Sequence, residues 1–480
     1  MSWAPRQSPP SSSPPDERQL PSTIGLVKKW LLALIVLIVL PVWGFETFIA
    51  WYYQRSPDQQ TAVYIQSFSH SEIQLAEAAS RMELGDTTRW ILSISSQEQA
   101  VGRAIVLLEQ YNEEYPKEAA YEGADLYLAS LYLRAGQQEK AIEIARKSKS
   151  PYADIIFSLA RNHPLNQSQL AAIEEHQDRY PHYSEAGFWY TLHLDLPGNS
   201  PIDDSLNDIL DTDNADRKLL FRAISIGFCY TCLAIGLIYV LFNIRTLDRL
   251  QPSAIEPGII AGLFMFLLLE YASTYTYLYL HKICLYILQL SDQASFVIAD
   301  ALYRIVPVTA ALIYLHFCKR KDSCSPLRSF KLTIPAVSLC LGIGIFSYFF
   351  LHRYLAPHRI GDYITGLEGI GSASSKPLIF IYSIIASVII APFTEELLFR
   401  GILLTALRRK LGTFIALFFT SLLFSLVHVQ GFTDSIHVFI MGMLLGLAYL
   451  KSRTLWPSII AHAGFNAWLY FETWNVYLAN

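Results

Sequence analysis

The chain has 480 residues, 52% apolar and only 16% charged, with a net charge of −4. A soluble domain carries about 25% charged residues, so the composition argues against an ordinary soluble protein, and the charge leaves no electrostatic case for a nucleic-acid partner. Six scattered cysteines do not make a disulfide framework. Cys229 and Cys232 form a C-x-x-C inside an apolar run and read as buried small residues rather than a redox or metal pair.

Residues 1–22, with Pro9, Pro10, Pro14 and Pro15 among several serines, cannot bury a core and read as a disordered tail. Lys28 and Lys29 precede an apolar run over 30–50 that leads into Trp51, Tyr52 and Tyr53. Charges this far from the start and an aromatic anchor after the run predict a retained transmembrane helix (23–52) rather than a cleaved signal.

Residues 53–217 differ in chemistry: they hold no long apolar run and roughly twice as many acids as bases. Apolar residues recur at helical spacing, as at Ala124, Leu126, Leu128, Leu131 and Leu133. From Ala129 to Ala145, with Gly136 and Ala141, the small residues suit a helical hairpin of the tetratricopeptide type, and a generic helical bundle is the alternative. Tyr115-Pro116 and Tyr180-Pro181 each end a helical pattern. Asp203, Asp204, Asp208, Asp211, Asp213 and Asp216 lack the alternation and closing Glu of a calcium loop, and predict a solvated linker.

Apolar spans return at 219–241, 257–280, 295–317, 331–352, 377–406, 411–428, 434–450 and 455–472. A crossing helix needs about 20 residues, so the predicted fold class is all-α: a polytopic membrane protein of about nine helices, with residues 53–217 inserted as a helical domain. Helices two to five fall in 218–375 and the last four in 376–475. Lys28 and Lys29 place the N-terminus in the cytoplasm. Alternation then makes inside loops of those with Arg245 and Arg249, with Lys319, Arg320 and Lys321, with Arg408, Arg409 and Lys410, and with Lys451 and Arg453. All four are basic, as the positive-inside rule requires, which puts 53–217 outside the cytoplasm.

Charges at membrane depth are costly and point to function. The sixth span contains Glu395, Glu396 and Arg400. Glu396 and Arg400, at i,i+4, share a helix face and predict an ion pair. Glu395 points about 100° away without a local partner, which suits a general base. The seventh span ends at His428, and the ninth carries His462 and Asn466, again at i,i+4. His437, in the eighth, stands alone and reads as structural. Counted at about 1.5 Å per residue from the basic loops, these groups reach similar depth, so three helices can aim them at one polar site.

The three motifs, Glu395-Glu396-x-x-x-Arg400, Phe424-x-x-x-His428 and His462-x-x-x-Asn466, resemble those of the CPBP intramembrane proteases, which include CAAX prenyl endopeptidases and bacterial abortive-infection (Abi) proteins. Phe399, Gly401, Gly442 and Gly446 match as flanking features, and the resemblance covers about 380–472. It implies peptide-bond hydrolysis within the membrane, on a membrane-associated protein or peptide. In a glutamate mechanism, Glu395 and His428 activate water, His462 and Asn466 stabilise the oxyanion, and Glu396 and Arg400 orient them. In a metal mechanism, His428, His462 and Glu395 hold zinc. The absence of H-E-x-x-H and the poor ligand character of Asn favour the glutamate.

A CAAX endopeptidase has no need of a large domain across the membrane, so the architecture fits a bacterial plasma-membrane member whose 53–217 domain captures a peptide or protein partner. An unchanged substrate spectrum after deleting that domain would contradict this. Two other functions use the same residues: a catalytically silent binding or immunity protein, and a transporter with a Glu/His proton relay. A transporter calls for an inverted repeat, and none is visible.

Overall fold

A computed structural model describes residues 61–114, 124–148, 153–161, 163, 166–169, 212–243, 262, 263, 266, 279–317, 333–354, 377–428 and 432–478. The expectations for the 1–22 tail, the 30–50 helix, most of the third span, the two Tyr-Pro sites and Asp203 to Asp211 lie outside these residues.

Among the described residues every regular element is helical. The first unit comprises α1 (Thr61–Arg81), α2 (Asp86–Ile91), α3 (Gln97–Glu114), α4 (Ala124–Arg134), α5 (Gln138–Lys147) and α6 (Ala153–Ala160). Its core joins Ile65, Leu108, Tyr111, Tyr127 and Ile156 with Leu126, Leu128 and Leu131 of the predicted periodic run, against which Leu133 packs. The expected hairpin is α4 and α5. Gly136 turns it at φ 72°, a conformation that favours glycine, and Ala129, Ala141 and Ala145 are buried where the helices approach.

The membrane unit begins with α7 (Thr212–Asn243). The expected boundary near 218 needs correction: the helix starts at Thr212, so Asp213 and Asp216 are helical rather than linker. Asp216 lies in the second turn, and its Oδ1 is 2.7 Å from Arg81 of α1. Then follow α8 (Asp292–Phe317), α9 (Thr333–Tyr354), α10 (Pro377–Ile385), α11 (Ala391–Glu396), α12 (Thr405–Leu411), α13 (Thr413–Val427), α14 (Phe432–Ser452) and α15 (Trp456–Glu472). Among the described residues four helices are long and apolar enough to cross a membrane: Ala215–Leu241, Ile334–Tyr354, Phe380–Arg408 and Phe432–Ser452. The third is one continuous rod made of α10, α11 and α12 with π-helical turns at Ala386–Ile390 and Leu397–Leu404 between them. Leu220, Ile224, Phe228 and Leu237 of α7 point away from the protein, as a lipid-facing surface requires. The chain is an all-α integral membrane protein.

Glycines set the closest helix approach. A Cβ on Gly236 of α7 would sit 2.7 Å from the Leu339 Cα of α9, and one on Gly342 would sit 2.6 Å from the Leu233 nitrogen. The two backbones therefore touch, the packing that small residues allow where apolar burial gives no drive between helices. Cys229 and Cys232 are buried free thiols at this contact, as expected of small core residues. α14 and α15 pack on the other side of α9 through Met441, Leu445, Phe465 and Trp468.

Candidate active site

The Phe380–Arg408 rod holds Glu395 and Glu396 at the end of α11, just before the second π-helical turn. Glu396 is fully buried, and its Oε1 receives the Arg400 Nη1 hydrogen bond at 2.7 Å, the i,i+4 pair expected from the spacing. Arg400 also donates to the Gly442 carbonyl at 3.2 Å and lies over the Phe424 ring at 4.3 Å. Gly442 itself lets α14 pack closely on α13: a Cβ there would stand 3.1 Å from the Ser421 Cα. This buried pair, tied to α13 and α14 through Phe424 and Gly442, frames the groups around it.

Glu395 turns to a different face, as the helix geometry requires. It has no partner on its own helix, as expected from the spacing, and its neighbours come from other helices. Its Oε2 lies 3.4 Å from His428 Nε2 and 3.9 Å from His462 Nε2. These are ion-pair distances rather than aligned hydrogen bonds, and Oε2 has no hydrogen-bond partner among the described residues.

Each imidazole is fixed through its other nitrogen. His428 Nδ1 is 2.6 Å from the Phe424 carbonyl. A carbonyl only accepts, so Nδ1–H donates and Nε2 faces Glu395. His462 Nδ1 is 3.1 Å from Glu396 Oε1, the atom that also accepts from Arg400, so this ring too presents Nε2 to Glu395. Phe424 packs against both rings, at 4.5 and 5.7 Å between centroids.

Asn466, one turn beyond His462, donates from Nδ2 to the Ser387 carbonyl at 2.7 Å. That carbonyl is free for a local reason. In the π-helical turn the Ala391 N–H bonds back to Ala386, which diverts the donor that an α-helix would give Ser387. The next donor in π register would belong to Pro392, which has no N–H. The bond leaves Asn466 with a second amide hydrogen.

Of the six residues singled out from sequence, Glu395, Glu396, Arg400, His428 and His462 form one connected cluster, and Asn466 borders it from the same helix as His462. His437 stays apart, buried, with Nδ1 3.1 Å from Ser347 Oγ, as a structural residue should. Sequence reasoning missed two polar clusters. In α8, Asp300 accepts bonds from Arg304 at 2.7 Å and from Tyr382 at 2.6 Å. At the end of α15, Glu472 is 2.6 Å from Arg222 of α7. Arg222 also reaches Glu72 of α1 at 3.5 Å, and Arg103 of α3 reaches Glu72 at 3.2 Å. Charges inside or at the ends of apolar runs are the signal that could have found both.

Residues 377–468 match the family model described as "Type II CAAX prenyl endopeptidase Rce1-like". The chain carries a CPBP-family segment. All six motif residues fall within the CPBP match, whereas the α1–α6 unit and the Asp300–Arg304 pair lie outside it. The "Putative membrane peptidase YdiL" of Bacillus subtilis (strain 168) is 33% identical over 89 residues, which are 18% of this chain and 35% of that protein. The chain thus spans about a third of the curated relative's length. No solved structure matches the chain.

Proposed function

We propose that the protein is an intramembrane endopeptidase that cleaves membrane-associated proteins or peptides with water activated by Glu395 and His428. The convergence of Glu395, His428 and His462 from three separate helices, with Glu395 Oε2 between the two Nε2 atoms, carries this reading. A water beside Glu395 gives its proton to Oε2 or to His428 Nε2 while its oxygen bonds to the scissile carbonyl carbon. Charge then develops on the carbonyl oxygen. The second amide hydrogen of Asn466 and, when that ring carries two protons, the His462 Nε2–H are the donors available to it. Collapse of this intermediate breaks the C–N bond. The proton taken from water passes to the leaving amine, and a carboxylic acid and an amine result.

Arg400 and Glu396 act through His462: the ion pair fixes the carboxylate that fixes the ring. A metal-dependent version uses the same residues, and the Nδ1 contacts of both histidines are of the kind that orient zinc ligands. Among the described residues, however, no three such side chains form a metal-binding group. With the basic loops inside, the α1–α6 unit faces outward, a placement suited to a bacterial plasma-membrane protein that recruits its substrate from that side.

The test compares membrane-proximal peptides from cells carrying wild type, Glu395→Gln or His428→Ala at matched expression. Loss of a general base lowers the rate by about 10²–10⁴-fold, so peptides made by the wild type should vanish in both variants. Identical peptide sets in all three would mean that the site binds without cleaving. A chelator added to purified wild type separates the two mechanisms, since only the metal version loses activity.

A further inference from the structure

The α2 helix is unusual for a soluble domain. None of its six residues is buried, yet it ends in Trp90 and Ile91, which are 54% and 39% exposed. Its position relative to the membrane can be fixed from α9. The Ile334–Tyr354 span has 21 residues and so rises about 31 Å, close to the roughly 30 Å of a hydrocarbon core. Tyr354, its last residue, therefore sits at a membrane–water boundary. Trp90 Nε1 is 3.4 Å from the Tyr354 hydroxyl, so Trp90 sits at the same boundary.

Trp90 also continues a surface that is already lipid-facing. Phe346, Phe350 and Tyr354 follow one another at i,i+4 along α9, are 41%, 50% and 50% exposed, and pack ring to ring, the first pair stacked at 6.1 Å and the second tilted at 4.8 Å between centroids. Trp90 stands at the head of this aromatic ladder. The helix that presents it is held in place: the Ile94 N–H bonds to the Arg89 carbonyl at 2.8 Å, Arg89 Nε bonds to the Leu84 carbonyl at 2.8 Å, and Ile94 is buried. Leu92, next to the exposed pair, packs against both the membrane core and the α1–α7 contact.

We infer that α2 is an interfacial anchor, with Trp90 and Ile91 resting in the headgroup region of the phospholipid leaflet beside α9. Indole favours this level because its ring is apolar and its N–H finds a polar partner there. The exposed pair would otherwise be bare apolar surface on a soluble unit. The anchor holds the α1–α6 unit down against the bilayer, on the side where Arg222 and Glu472 join it to the helix carrying His462 and Asn466. It depends on the membrane embedding alone and not on the protease reading.

Ile91 is the place for a probe, because a label there disturbs no core. A small environment-sensitive fluorophore is attached at Ile91→Cys in the full chain, reconstituted into phosphatidylcholine vesicles with or without bromine near the top of one acyl chain. The label at position 91 should lose emission several-fold in the brominated vesicles and resist aqueous iodide. The same label at Glu98→Cys, on the exposed start of α3, should respond to iodide alone. Quenching at position 91 by iodide and not by bromine overturns the inference. Quenching by neither overturns it too, since protein would then cover the site. If labelling changes the melting temperature, the wild-type minus Trp90→Phe difference in intrinsic emission gives the same reading: it should be bromine-sensitive, and a bromine-insensitive difference again overturns the anchor.

Discussion

Glu396 and Arg400 show how one buried residue depends on another. Removing Arg400 leaves a carboxylate buried with no cation beside it. Arg400→Leu should destabilise the protein by about 3–5 kcal/mol, read as a fall in melting temperature in detergent. The double variant Arg400→Leu with Glu396→Leu should recover much of that stability and none of the activity, because His462 has lost its Nδ1 acceptor. Recovery of activity would show that the pair does not orient His462. Asn466→Ala should leave the fold in place and lower turnover by about 10²–10³-fold, the cost of one oxyanion donor. The i,i+4 spacing made the Glu396–Arg400 pair legible in the sequence. The meeting of Glu395 with His428 and His462 was legible only as a shared depth, because helical spacing describes one helix and the two histidines arrive from two others.

At the level of elements, the π-helical turn at Ala386–Ile390 links chain chemistry to the site. Pro392 withholds the N–H that Ser387 would otherwise receive, and Asn466 takes its place. Pro392→Ala returns a backbone donor to this turn. The expected result is lower turnover with an unchanged or raised melting temperature; unchanged turnover would mean that Ser387 does not hold Asn466. Periodicity reveals helices but not where one slips from α to π register, so this contact was invisible beforehand, although Pro392 was its marker. The α7–α9 contact is a second case. Gly342→Val must push the Leu233 backbone away, and overpacking of this kind costs about 1–3 kcal/mol, measurable as a loss of thermal stability. The apolar runs announced both helices, whereas their pairing depended on two glycines far apart in sequence.

For the whole molecule, the helical unit and the membrane unit meet through ion pairs and hydrogen bonds, one of whose arginines also pairs within the membrane unit. Arg81 meets Asp216, Lys218 donates to Ser71 and Gln74, and Arg222 meets Glu472 and Glu72. Composition separated the two units readily but did not foretell this joint, since helical spacing within one element does not show which charges of another it will meet. The same region carries a pH dependence. Burial, with Lys218 and Arg134 nearby, pushes His70 of α1 from 6.5 down to about 3. A histidine held neutral in the folded state contributes full stability above its unfolded value. That contribution is lost as pH falls from about 6.5 toward about 3, because the unfolded chain takes up the proton first. By pH 5 the loss should reach about 2 kcal/mol, and His70→Gln should flatten that slope in melting experiments; an equal slope in the variant would assign it elsewhere.

The central claim is that the Glu395 cluster hydrolyses peptide bonds, and the most direct measurement counts new N-termini. Purified wild type and Glu395→Gln, matched in melting temperature, are reconstituted with a mixture of membrane proteins, and amines exposed by cleavage are labelled and sequenced. The account predicts a defined set of new N-termini near membrane boundaries with the wild type and none above background with the variant. The same set from both proteins, or no new N-terminus from either across the membrane proteins of the native host, would contradict it.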